Sequence, residues 1–374
     1  MIFDTLFKRT STGATQVWTL EVEGNQYRVT SGQIDGKQVT SSWTVCEGKN
    51  IGRANETSPE EQAMSEAKAK MTKKLDQGKY HTNIENIDVQ KFMAPMLAKK
   101  YEGKMSEKTF SQPKLDGIRC IVKADGMWTR TGGPILGAPH IREALQEFFN
   151  DDPDLILDGE LYCSRLKNDF NKIVSLAKKK SPTEQQLRES AHNLQYWVYD
   201  LPSSKRGFFE RSIELAAMSC WWRDDEEAKV DSPLVLVETE LVRNKEHLDE
   251  LYQGYLAAGQ EGQMVRDGNS LYENKRSKGL LKRKEFKDEE FTILCLNEGR
   301  GNYAGMIKSV SFETKGGIKF DTGIKGDQPY LRDLMANADQ YVGNQATVRY
   351  QDLTPDGKPR FGVCYHIWGG DRDC

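Results

Sequence analysis

In the stretch "SQPKLDGIRC", residues 111–120, Lys114 stands between a proline and an Asp-Gly pair, and Arg119 follows five residues on. A turn that only has to be structural has little use for a lysine there. The chain supplies other groups that fit with it. "TRTGG" holds Arg130, "LDGELYC" holds Glu160 and "YWVYD" places Tyr199 on a strand. "EGQMVR" holds Glu261 and Arg266, and "LLKRKEF" holds Lys282 and Lys284. Together these are the groups needed to bind a nucleoside triphosphate and transfer its α-phosphoryl group. An aromatic face stacks on a base. Cations two apart on a strand share one face and hold phosphate oxygens. Two carboxylates, Glu160 and Glu261, can hold Mg²⁺, which prefers oxygen ligands and keeps several waters.

Taken singly, each group has an ordinary structural reading. Lys114 would be a solvated turn lysine, Glu160 an edge-strand charge, Tyr199 a core aromatic, and the KRK run a solvated basic edge. The case rests on the set.

The elements that must position this set are legible in outline. Over residues 92–286 strands alternate with helices. "IRCIVKA" and "MWTRTG" flank Asp125-Gly126 and predict a hairpin. "LILDGELYC" reads as two strands broken at Asp158-Gly159, and "LQYWVYD" as a buried strand. "FFERSIELAAMSCWW" and "NKEHLDELYQGYLAAG" carry helical spacing. "EGQMVRDG" and "GLLKRKEF" read as short strands.

From residue 287 the pattern is nearly all β, with one late helical piece, "YLRDLMANAD". Five short strands with a late helix predict an oligonucleotide/oligosaccharide-binding (OB) barrel. Residues 1–80 read as a small α+β module. "QVWTLEVE" and "QYRVTSGQ" alternate apolar and polar. "TSPEEQAMSEAKAKMTKKLDQGKY" reads as a helix, with Ser58 as N-cap, Glu61 closing a capping box and Gly78 ending it. Residues 81–91 are polar and predict a linker.

The chain has 374 residues, enough for two or three domains. Its net charge of −3 announces no global positive field, though a basic groove can be offset elsewhere. No apolar run is long enough to cross a bilayer, and "MIFDTLFKRTST" lacks the apolar stretch of a signal peptide. Seven cysteines with no C-x-x-C pair suit a reducing compartment. The five histidines lie far apart, which argues against a zinc site.

The motifs resemble those of the ATP-dependent DNA ligases, within the superfamily of covalent nucleotidyltransferases. K-x-D-G-x-R is matched by Lys114, Asp116, Gly117 and Arg119. The motif ending on an acidic residue is matched by Glu160, and the aromatic-before-Asp motif by Tyr199-Asp200. E-G-x-M-V-K is matched by Glu261 to Arg266, with arginine for lysine, and K-x-K by Lys282 and Lys284. "QATVRYQDLTPDGKPRFGV" is similar to the end of the ligase OB domain. The resemblance covers roughly residues 92–374. The final motif departs from the family. Trp368, with Arg372 a few residues on, stands where an arginine near the end of the last strand is usual.

The resemblance implies an α+β chain with a nucleotidyltransferase (adenylation) domain over 92–286 and an OB barrel over 287–374. Residues 1–80 are additional. "YRVTSGQIDGKQ" there resembles the WGR module, a small DNA-associated β domain, with Ser31-Gly32-Gln33 where that module has Trp-Gly-Arg. ATP and Mg²⁺ are the implied cofactors, and nicked or broken double-stranded DNA the implied partner. A monomer in the cytoplasm of a bacterial or infected host cell is expected, with no membrane contact.

Lys114 is the implied nucleophile, forming a lysine-AMP intermediate that passes AMP to a DNA 5′-phosphate before the 3′-hydroxyl expels it. Its amine must lose a proton first, and neighbouring cations and partial burial disfavour the charged form. Asp116 would orient the lysine or nucleotide. Arg119 and Arg130 would hold the ribose or nick phosphate, and Arg266, Lys282 and Lys284 the phosphates. Gln112 would read the adenine edge, since its amide offers both donor and acceptor. The competing readings are an mRNA capping guanylyltransferase, an RNA ligase and a catalytically inactive nucleic-acid-binding module. An NAD-dependent ligase is disfavoured, because no extra nicotinamide module or zinc-cysteine cluster is present.

Overall fold

The alternating segments near the start of the chain pair as expected. A computed structural model of the protein describes residues 1–10, 12–77, 80–88, 92–167, 169–222 and 232–368. It separates into two units, residues 91–285 and residues 1–90 together with 286–374. In the second of these, β1 (Leu6–Arg9), β2 (Thr15–Glu23), β3 (Gln26–Gln33) and β4 (Gln38–Thr40) form an antiparallel sheet in that order, and β5 (Thr44–Val45) pairs with β3. Trp18, Leu20 and Val22 alternate inward on β2 and pack with Leu6 and Tyr27 against Ala63 and Ala67 of α1 (Pro59–Gln77). The capping box closes α1. Glu61 N–H donates to Ser58 Oγ at 3.2 Å and Ser58 N–H to Glu61 Oε2 at 2.8 Å. Gly78, the expected helix stop, lies outside the described residues.

The stretch expected as a linker is tied down as far as residue 88. His81 is buried and exchanges two 2.8 Å backbone bonds with Phe7 of β1. Arg9 Nε donates to Asp88 at 2.9 Å. Polar composition does not reveal such pairing, because the partner strand lies far away in sequence. This sheet shares its unit with the barrel, and Gly301 there lies against Thr44.

Residues 91–285 hold two mixed sheets. Their elements in order are β6 (Leu97–Lys100), β7 (Thr109–Lys114), β8 (Ile118–Lys123), β9 (Gly126–Thr129), α2 (Pro139–Ala144), α3 (Gln146–Asp151), β10 (Ile156–Tyr162), α4 (Phe170–Ala177), α5 (Glu184–Asn193), β11 (Gln195–Asp200), α6 (Phe208–Ser219), β12 (Leu234–Leu236), β13 (Glu240–Leu241), α7 (Lys245–Ala257), β14 (Gly262–Asp267) and β15 (Arg276–Arg283). One sheet runs β12-β11-β10-β8-β9 and the other β13-β7-β14-β15-β6. Leu157, Leu161, Tyr196 and Val198 of the first sheet bury against Ile173 and Leu176 of α4. "LILDGELYC" is one strand rather than a broken pair. Asp158 and Gly159 stay in register with β8, and only the pairing with β11 slips there.

The last strands close. They are β16 (Lys287–Glu298), β17 (Ile307–Glu313), β18 (Lys319–Ile324), then α8 (Gln328–Ala336), β19 (Gln345–Tyr350), the small pair β20 (Asp352–Leu353) and β21 (Pro359–Arg360), and β22 (Val363–Ile367). The barrel order is β16-β17-β18-β22-β19. Closure leaves no sheet edge open to another chain. Phe291, Phe312 and Phe320 fill its core. Arg372, the alternative residue for the final motif, lies outside the described residues.

Candidate functional site

Lys114 is the last residue of β7, and strand register decides what it meets. Gly262 of β14 lies opposite it, and Glu261 N–H donates to the Lys114 carbonyl at 3.0 Å. That seats the Glu261 side chain at the lysine. Lys114 Nζ ion-pairs with Glu261 Oε2, and Lys284 Nζ lies 3.1 Å from Glu261 Oε1. Glycine is required at 262, where φ is +150° and a Cβ would stand 2.3 Å from the Arg283 carbonyl. Gly117 is required for closeness as well, since a Cβ would lie 2.3 Å from the Leu161 carbonyl. The Asp-Gly turn therefore lies directly against β10, the strand of Glu160.

Electrostatics follow from this crowding. Burial would push the Glu261 carboxyl up, but Lys114 and Lys284 outweigh it and hold it below the usual range. Burial, then Lys284 and Lys114, lower the Lys282 ammonium. Glu160 is pushed up to about 8, by burial first, with Lys114 and Arg119 opposing. Its carboxyl accepts from Tyr199 Oη at 3.4 Å. Because the folded state raises this pKa from 4.5, it binds a proton that the unfolded chain has released. The resulting stabilisation is present at low pH and is lost as pH rises through about 8. Carboxyl ¹³C shifts should give Glu160 a midpoint near 8 in the free protein; one near 4.5 would refute this environment.

Tyr199 owes its aim to a bulge. Val198 pairs with Gly159 and Asp200 with Asp158, which leaves Tyr199 as the extra residue on β11. Its ring centroid lies 5.7 Å from the Arg119 guanidinium and 5.6 Å from that of Arg266. A cavity of about 480 Å³ opens beside it, lined also by Leu236, Val237, Glu238 and Thr239.

The structure corrects two expected roles. Arg266 is 3 % exposed and does not face open space. It ion-pairs with Asp200, and its Nε donates to Gln112 Oε1 at 2.7 Å. Asp200 also takes Arg211 at 2.7 Å. An arginine in this place braces the two sheets instead of holding phosphate. Gln112 is committed in the same way. Its Nε2 donates to Thr239 Oγ1 at 2.8 Å and to the Tyr199 carbonyl at 3.4 Å. The amide thus positions the strand carrying Tyr199 and has no free donor for a base edge. Removing one partner of a buried pair costs about 3–5 kcal/mol. Arg266→Met should fall near the lower end of that range in chemical denaturation, since Arg211 remains on Asp200. An unchanged midpoint would refute the bracing role.

Arg119 is bound to Asp158, through Nε at 2.9 Å, and Tyr272 Oη donates to the same carboxylate at 2.6 Å. Asp116 is half-buried on the turn after β7, and Arg130 is exposed on the turn after β9. The fold thus gathers Lys114, Glu160, Tyr199, Glu261, Lys282 and Lys284, with Arg119 at their margin, while Arg130 stands apart from these contacts. Asp158, Asp200, Arg211, Tyr272 and Thr239 went unassigned. Asp158 and Asp200 lie within the "LDGELYC" and "YWVYD" stretches, where a local signal exists; the others carry none. Among the described residues, no group of three or more His, Cys, Asp or Glu side chains is placed to hold a metal, and no helix is long and apolar enough to cross a membrane.

Known proteins resemble this chain in sequence and in fold. Residues 95–284 match the family model of the ATP dependent DNA ligase domain, and residues 298–367 that of a DNA ligase OB-like domain. A DNA ligase of Haemophilus influenzae is 26% identical over 272 residues, 72% of this chain and 90% of that protein. A DNA ligase of African swine fever virus is 26% identical over 295 residues. This chain spans 62% of that viral protein and 61% of a phage T4 DNA ligase that is 23% identical. Among solved structures, one from a study of DNA binding by Lig E DNA ligases has a TM-score of 0.60 at 26% identity, covering 74% of this chain and 99% of that one. Another, Pmar-Lig_Pre, is alike in fold with a TM-score of 0.61 at 20% identity, covering 75% of this chain and 68% of that one.

Proposed function

The chain belongs to the ATP-dependent DNA ligase family, and from that membership we propose that it seals breaks in double-stranded DNA by way of AMP carried on Lys114. The observation that carries the assignment of Lys114 is its seat at the end of β7, ion-paired to Glu261 and ringed by Lys282 and Lys284. Its side chain keeps 20% exposure, so a substrate can reach it. The two flanking lysines bring positive charge to the place where the phosphates of a nucleotide attacked by Lys114 would lie.

The first step forms a bond from Lys114 Nζ to the α-phosphorus of ATP and breaks the bond to pyrophosphate, which carries away the electron pair. The amine proton departs to solvent or to a neighbouring carboxylate. Lys282 and Lys284 balance charge on the phosphoryl oxygens as it shifts to the leaving group. Glu261, between Lys114 and Lys284, holds both ammonium groups in place until a substrate displaces it. In the second step the AMP passes to a DNA 5′-phosphate and frees Lys114. In the third, the 3′-hydroxyl attacks that phosphorus and AMP leaves. Positioning and charge neutralisation dominate all three steps.

Glu160 and Glu261 would hold Mg²⁺. Two carboxylates suffice for it when substrate phosphates and waters complete the shell. The site fits: the Glu160 carboxyl has only the Tyr199 hydroxyl as a hydrogen-bond partner among the described residues. A bound cation there would supply positive charge to the phosphate oxygens. The base would lie against Tyr199, beside the cavity that Thr239 also lines.

Incubation with labelled ATP, GTP or NAD, followed by denaturing gels, tests the assignment. Label is expected from ATP alone, stable to SDS and discharged by nicked duplex with joining of the strands. Label from GTP would replace this reading with a capping guanylyltransferase. Joining of RNA but not DNA would replace it with an RNA ligase.

A further inference from the structure

The N-terminal sheet and α1 lie outside both segments that match the ligase families, and the groups assigned to nucleotidyl transfer lie elsewhere. They gather cations from separate parts of the chain. Lys74 Nζ of α1 lies 4.9 Å from the Tyr80 ring centroid and 5.4 Å from that of Trp18. Lys8 Nζ, from β1, lies 5.3 Å from the same Tyr80 ring. Lys70 Nζ, one turn before Lys74, lies 4.7 Å from the Tyr27 ring. The three rings are buried. They hold the three lysines in place, with Lys70 exposed and Lys8 and Lys74 partly exposed.

These charges exceed the acidic groups that face them. Among the described residues none of the three lysines joins an ion pair, whereas the neighbouring Lys49 does. Glu66 faces Lys70, but its single charge is shared with Lys49, which donates to Oε1 at 2.9 Å beside Gln62, also at 2.9 Å. Burial first, and then the charges of Lys8 and Lys70, lower the Lys74 ammonium below its ordinary range. The dipole of α1 favours a cation in its last turn. That accounts for Lys74, but not for a strand lysine brought to the same ring. The chain as a whole is net negative, so the cluster is a local departure. Like charges held together oppose folding, and what relieves them is a polyanion.

We propose that this face of the N-terminal sheet and α1 binds the phosphate backbone of duplex DNA, as a second grip separate from the nucleotidyl-transfer site. The proposal rests on the DNA-sealing reading above. Lysines suit the task, since each is a point charge that pairs with a phosphate of any sequence.

The test compares the full chain with its K8Q/K70Q/K74Q variant on a nicked duplex. AMP labelling should be unchanged. The duplex Kd should rise roughly tenfold or more near ~0.1 M salt, and the plot of log K against log salt should flatten by about 2–3. A K8R/K70R/K74R variant keeps the charge and should bind as the parent does. Equal Kd and equal salt slope for the glutamine variant and the parent would overturn the proposal. So would weakened binding with an unchanged salt slope, which would mark a structural effect. If the triple variant loses AMP labelling, single Lys8→Gln and Lys70→Gln variants carry the test, each expected to reduce the slope by about 1. A parent that takes no AMP label would instead overturn the reading beneath the proposal, and the proposal with it.

Discussion

Lys114→Ala is expected to fold as the parent does and to take no AMP label. The lysine ends a strand and is partly exposed, so truncation opens no core cavity. Its partner Glu261 is not stranded either, because Lys284 remains 3.1 Å away. The structural cost is therefore small and the chemical loss complete, since the proposal gives the bond to AMP to Lys114 alone. Denaturing gels with labelled ATP read the loss, and circular dichroism reads the fold. A further measurement separates a nucleophile from a structural lysine. Nicked duplex that already bears AMP on its 5′-phosphate does not need Lys114 to accept AMP. The variant should retain measurable sealing of that substrate while sealing none with ATP. Normal labelling of Lys114→Ala would sink the mechanism.

Glu261→Ala should lose roughly 10²–10³-fold in sealing, the range found when a single preorganised electrostatic partner is removed. Two causes add. Lys114, Lys282 and Lys284 are left close together with no shared carboxylate, and the proposed Mg²⁺ loses a ligand. Glu160→Ala should also lose most activity, with Lys114 still paired, so its loss reports more narrowly on the cation and nucleotide. A chelator should abolish sealing by the parent. Full activity of either variant in excess EDTA would rule out the metal role. Glu261→Gln discriminates further: it keeps the size and one acceptor but not the charge, and should resemble Glu261→Ala if charge is what matters.

Legibility differed from residue to residue. The K-x-D-G-x-R stretch, Glu160, the Tyr-Asp pair, Glu261 and the two lysines of K-x-K could be selected from types and spacing, and the fold brings six of these groups together. Arg266 could not be assigned from sequence. On a strand its side chain has two faces, and only the packing of β14 beside β7 sends it beneath Gln112 and onto Asp200. Gln112 is illegible in the sequence for the same reason. An amide that could read a base is spent on Arg266, Thr239 and a carbonyl. Tyr199 is visible in the sequence as an aromatic before an aspartate, but its aim depends on a bulge opposite Gly159 that strand alternation does not predict.

The sequence by itself determined the elements and the roster. Alternation, capping and Asp-Gly turns are local, acting over a few residues, and so they can be read from a few residues. Ser58 and Glu61 close their box because they are three apart. Only the tertiary structure decided the partners. Lys114 and Glu261 are 147 residues apart, and Gln112 and Arg266 are 154 apart. No local pattern records which strand lies beside β7, since pairing is chosen by the burial of whole sheet faces and by register. Nor does anything in "LFKR" announce that Lys8 will share a ring with Lys74. That meeting follows from α1 packing on the first sheet, where the apolar stripe of one and the inward face of the other have no alternative but each other.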